Sequence, residues 1–92
     1  MMEMKEKEAI ATAKNYVVDL YADDKINDVG LEEIEFDKKT KCWLVTIGIT
    51  RLTAANDFVT SLGGTPLRSY KLVAIDDKTG RALSLKDREF SH

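Results

Sequence analysis

The chain has 92 residues, of which 16 are acidic and 14 basic, giving a net charge of −2, with a single cysteine. That length leaves room for one domain and excludes two, and a core of that size leaves little space for a large enclosed active site. The interspersed, nearly balanced charges exclude the basic stripe needed to neutralise phosphates, so nucleic acid is not an expected partner. One cysteine cannot close an internal disulfide, and no apolar run approaches the ~18 residues of a membrane span.

The segment Met1–Lys7 is charged and has no apolar signal-peptide core. With the lone thiol of Cys42, this leads to the expectation of a cytoplasmic protein that does not enter a membrane.

From Met4 to Tyr21 the spacing predicts a helix. Ile10, Ala13, Val17 and Leu20 recur at intervals of three and four, and Ala9, Tyr16 and Tyr21 widen the stripe. Glu3, Glu6 and Glu8 suit the positive end of the helix dipole. A one-sided stripe of this kind packs on a sheet.

Ala22–Gly30 is rich in breakers and reads as a loop. Its acidic and amide oxygens do not fit a calcium loop. Ile26 falls where the third-position ligand after Asp24 is needed, and no glycine stands at position six.

Strands are predicted over 31–36 and 42–51, joined by the polar turn Asp37-Lys38-Lys39-Thr40. In the first, Ile34 and Phe36 alternate with Glu33 and Glu35, so one side is dry and one wet. In the second, Trp43, Val45, Ile47 and Ile49 share one face, and Cys42, Leu44, Thr46, Gly48 and Thr50 share the other. Trp43 is in phase with the core face.

The connection 52–67 is long for so small a domain, and long connections are more often functional than neutral. It holds the only proline, Pro66, and the pair Gly63-Gly64. A short helical turn is expected around Asp57–Leu62. A second hairpin follows, with strands over 68–75 and 81–86 about the turn Asp76–Gly80. There aspartate bonds the backbone ahead of it and Gly80 supplies positive φ. Tyr70 is expected in the core, and the charged tail after Lys86 is expected to fray. The resulting fold class is α+β: an N-terminal helix packed on a four-stranded antiparallel meander.

Catalytic groups are hard to assemble from this sequence. The only histidine is His92, at the chain's end, so neither Cys42 nor any serine has a positioned base. One Cys and one terminal His do not make a zinc site. Glu33 and Glu35 point to the same, wet side of their strand, which suits solvation rather than acid–base work. Ser61–Thr65 fits neither the P-loop nor the dinucleotide fingerprint, since no lysine follows and no helix opens after it. No cofactor, metal or catalytic residue is expected.

Recognition remains. Arg51 and Arg68 flank the long connection and are expected at one rim of the sheet, with Asn56, Phe58 and Leu62 between them as partner-binding candidates. Phe58 and Leu62 either close the domain or are displayed to a partner. The expected partner is another protein or a second copy of the chain; a small ligand held between helix and sheet under the long connection is a further alternative.

The stretch Tyr70–Leu83, an aromatic strand running into Asp76-Asp77-Lys78-Thr79-Gly80 and a return strand, resembles the terminal hairpin of PepSY-type domains. The helix Glu8–Leu20 and the hairpin through Trp43-Leu44-Val45-Thr46 are similar to theirs in order. The layout is also similar to that of cystatin-like inhibitors, without their inhibitory hairpin motif. A Trp-led middle strand with a connection ending in Gly64-Thr65-Pro66 resembles small bacterial toxin-immunity proteins. These resemblances imply a cystatin-like architecture and a tendency to bind proteins, and they carry over no functional residue.

Overall fold

The structure is a computed structural model, and it describes residues 5–89. It contains α1 (Glu6–Leu20), β1 (Ile26–Asp37), β2 (Cys42–Arg51), α2 (Ala54–Ser61), β3 (Arg68–Asp76) and β4 (Ala82–Arg88). The strands form one antiparallel sheet in the order β1-β2-β3-β4. The expected α+β meander with its N-terminal helix is present, and α2 is added to it. Met4 and His92 lie outside the described residues.

Helix α1 lies across one face of the sheet. Its fully buried residues are Ala9, Ala13 and Val17, one turn apart, and two alanines at the contact let the helix backbone approach the strands closely. Opposite them stand Val45, Ile47 and Ile49 of β2 and Val73 and Ile75 of β3, all fully buried. Tyr16, Tyr21, Ile34, Trp43 and Leu85 close the rim of this cluster. The apolar stripe is rotated from the predicted one. Leu20 is 54% exposed and Ile10 stays outside the core cluster, because Ala9 rather than Ile10 meets the sheet.

Strand β2 runs over its predicted residues, with the predicted faces. The others extend beyond theirs. β1 begins at Ile26 rather than Leu31, since Ile26 pairs with Arg51 and Asn27 with Thr50. Register shifts after Asn27 and Leu31, with Asp28 at φ 51°, let a breaker-rich segment stay in the ladder. β4 continues through Asp87 and Arg88, paired to Lys71 and Tyr70, so these tail residues are ordered in the sheet.

The expectation for Tyr70 is overturned. Register places Lys71 beside Ile47 and Val73 beside Val45, so Lys71, Val73 and Ile75 take the helix-facing side. Tyr70, Leu72 and Ala74 therefore line the opposite, uncovered face. The turn after β3 forms as predicted: Asp76 Oδ1 accepts from the Lys78 and Thr79 amides, at 2.8 and 3.2 Å, and Gly80 has φ 70°.

The molecule measures 52 × 30 × 19 Å, with a radius of gyration of 14.7 Å. A compact chain of this length has about 12 Å. The elongation follows the strands.

Candidate functional site

The connection 52–67 is an ordered helical excursion. Thr53 caps α2, its side chain accepting from the Asn56 amide at 3.2 Å. Asn56 then fastens the excursion at its base. Its Nδ2 donates to the Arg51 carbonyl at 2.7 Å and its Oδ1 accepts from the Leu67 amide at 3.1 Å. One side chain thus ties the end of β2 to the start of β3. Gly63, at φ 83°, ends the helix, and the Gly64 amide returns to the Val59 carbonyl at 2.9 Å.

The helix so held has no buried residue. Phe58 and Leu62, one turn apart in sequence, are 64% and 72% exposed, and Leu67, at the end of the connection, is 77% exposed. Neither Phe58 nor Leu62 closes the domain; both side chains stand exposed.

The two arginines flanking α2 line one cleft of about 590 Å³, as expected of residues at one rim. They serve different faces of the sheet. Arg68 lies on the uncovered face and is fully engaged: it donates to Thr50 Oγ1 at 3.2 Å, to the Asp28 carbonyl at 2.8 Å and to Glu32 Oε1 at 3.3 Å. Gly48 makes this possible, because a Cβ there would come within 2.6 Å of both Arg68 and Glu32. Arg51, on the covered face, stacks over the Tyr21 ring with Cζ 5.1 Å from its centroid. It makes no ion pair among the described residues, and its Nε is buried without a partner.

The cleft cations Arg88 and Lys71 pair internally. Arg88 donates to Glu33 Oε1 at 2.8 Å and to Thr46 Oγ1 at 2.7 Å, and Thr46 is fully buried. Lys71 donates to Asp87 and also faces the Tyr21 ring. Burial opposes the Lys71 charge, but hydrogen bonds to Asp87 and Tyr21 overcome it and hold the ammonium above its ordinary 10.5. The same hydrogen bond holds Asp87, itself exposed, below its ordinary 3.8. Of the four cations lining the cleft, Arg51 is the one with no salt bridge among the described residues, and it acts on Asp87 only through space. No group of three His, Cys, Asp or Glu side chains among those residues is placed to hold a metal ion.

The residues leave one face of the sheet uncovered, either polar or available for a partner, and the structure shows a groove on it that was not expected from the sequence. On the uncovered face, at the end of the sheet away from α2, Leu44, Leu72, Ala74 and Leu83 line a largely apolar groove of about 380 Å³, together with Cys42 and the oppositely charged Asp37 and Lys86. Leu83 is 58% exposed. The signal was available: Leu44 on β2 and Leu72 and Ala74 on β3 are apolar residues out of phase with the core. Glu33 and Glu35 share this face as predicted, Glu33 held by Arg88 and Glu35 exposed.

Comparison with protein-family models, with curated proteins and with solved structures gives no match.

Proposed function

We propose that this chain is a non-enzymatic protein-binding domain, inhibitor-like or immunity-like in mode, that docks through α2 and the uncovered face of its sheet. The observation that carries the reading is α2 itself. A helix of eight residues with none buried gains nothing for the fold from Phe58 and Leu62, and clustered exposed apolar side chains mark contact surfaces. The layout of one helix over a four-stranded meander supports the resemblance to PepSY-type and cystatin-like domains. The same reading keeps the domain in the cytoplasm, where Cys42 remains a thiol.

The test is affinity capture from lysate of the protein's own source, with the intact chain beside Phe58→Ser/Leu62→Ser. A protein bound by the first and lost by the second is expected. Identical capture by both chains overturns the placement of the site on α2.

A further inference from the structure

We propose that the cleft at the end of the sheet where β2 leaves and β3 enters binds a small polar monocarboxylate, gripped by the guanidinium of Arg51 with the hydroxyl of Ser69 beside it. No residue of α2 lines this cleft, so the site is separate from the docking helix.

Three of the cleft's cations are engaged within the chain. Arg68 donates to Thr50, Asp28 and Glu32, Arg88 to Glu33 and Thr46, and Lys71 to Asp87. Arg51 is different. None of its guanidinium nitrogens donates a hydrogen bond to a described residue, and its Nε is buried without a partner. The side chain is half-buried. A cation drawn partly out of water ordinarily has an acceptor to meet it, and here the open side of that cation is the cleft.

Arg51 is also held ready. Its Cζ lies 5.1 Å from the centroid of the Tyr21 ring, which receives Lys71 Nζ at 5.5 Å as well. Stacking on an aromatic ring sets the plane of the guanidinium before a ligand arrives, so a forked contact to a carboxylate loses little side-chain freedom. Register supplies the neighbour. Ile49 pairs with Ser69 and Ile47 with Lys71, so Arg51, Ser69 and Lys71 follow one another diagonally along the same face. The Ser69 hydroxyl is half-buried and has no hydrogen-bond partner among the described residues. It offers a second donor next to the fork.

The lining narrows the ligand class. A cleft of about 590 Å³ falls within the ~300–1,000 Å³ of small-molecule sites. Every residue lining it is polar or charged, which suits a hydroxylated or otherwise polar acid and excludes a fatty one. Asp87 and Glu89 line the same cleft, and Glu89 is exposed with no salt bridge among the described residues. A second negative charge on the ligand would face these carboxylates at short range. One carboxylate therefore fits, and a phosphate dianion does not.

The test titrates the isotope-labelled full chain with lactate, gluconate, the neutral lactamide and inorganic phosphate at constant ionic strength, read by nuclear magnetic resonance. Lactate or gluconate is expected to give saturable shifts of the Ser69 and Lys71 amides and of the Arg51 Nε–H. Binding should be about tenfold or more tighter than for lactamide or phosphate, as for a charge-assisted fork. Arg51→Gln should abolish it. Arg51→Lys, which keeps the charge and loses the fork, should weaken it about tenfold, and Ser69→Ala severalfold; these two variants carry the test if Arg51→Gln does not fold. Saturation by neither acid overturns the inference. So does lactamide or phosphate binding as tightly as the acids, or binding left unchanged by both Arg51→Lys and Ser69→Ala.

Discussion

The indole Nε1–H of Trp43 donates to Asp77 Oδ1 at 2.9 Å, across 34 residues of sequence. Trp43 opens β2, and Asp77 sits in the turn between β3 and β4. The Asp77 amide donates in return to the Lys41 carbonyl at 3.2 Å, and Phe36 meets the indole edge-on, ring centroids 5.0 Å apart. The two hairpins are therefore joined at their tips as well as along their strands.

Asp77→Ala strands a half-buried indole donor and should lower stability by about 1–3 kcal/mol. Urea unfolding read by the fluorescence of Trp43, the only tryptophan, measures it. Trp43→Phe in addition should cost less than the sum of the two single changes, since the donor is then gone.

The Lys71–Asp87 pair sets a pH dependence whose sign is fixed. Asp87 is depressed in the folded state. Its contribution is present above its ordinary value of 3.8 and is lost as pH falls through the lower folded value. Lys71 is raised, so its contribution holds below 10.5 and is lost as pH climbs through the raised folded value. Unfolding curves of wild type and Asp87→Asn should differ at neutral pH and converge in strong acid. A difference that persists undiminished in acid would assign the effect to something other than this ion pair.

Much of this architecture is legible in the residues, because its signals are local. The strict alternation of Trp43, Val45, Ile47 and Ile49 determines β2 and its faces, and Asp76 and Gly80 determine their turn. Two things were not legible, both being tertiary. Which alternating set of β3 faces the helix depends on register against β2. A lysine reaches the covered side only because Asp87 and Tyr21 receive it there. The early start of β1 is masked by Asp28 and Gly30, which read as breakers until register shifts accommodate them. At the candidate site, Phe58 and Leu62 are exposed and Arg51 and Arg68 line one cleft. Asn56 proves to be the fastening of α2, and the groove went unread because its residues come from three strands.

Ala13 is fully buried between α1 and the sheet. Ala13→Leu should push the helix off the strands and cost about 1–3 kcal/mol by overpacking, read as a lower urea midpoint with the slope unchanged.

Asn56→Ala removes both hydrogen bonds that close the excursion. Limited proteolysis should then cut within 52–67 faster than in wild type, while global stability falls by only about 1–2 kcal/mol. Unchanged cleavage would mean that other contacts hold α2.

The most direct measurement of the central claim, that the apolar side chains of α2 serve contact and not folding, is urea unfolding of Phe58→Ser/Leu62→Ser at a concentration low enough to exclude association. The predicted stability lies within about 0.5 kcal/mol of wild type, as for exposed positions. A loss of about 3 kcal/mol or more, the scale of emptied core sites, would place both side chains in the core and contradict the account.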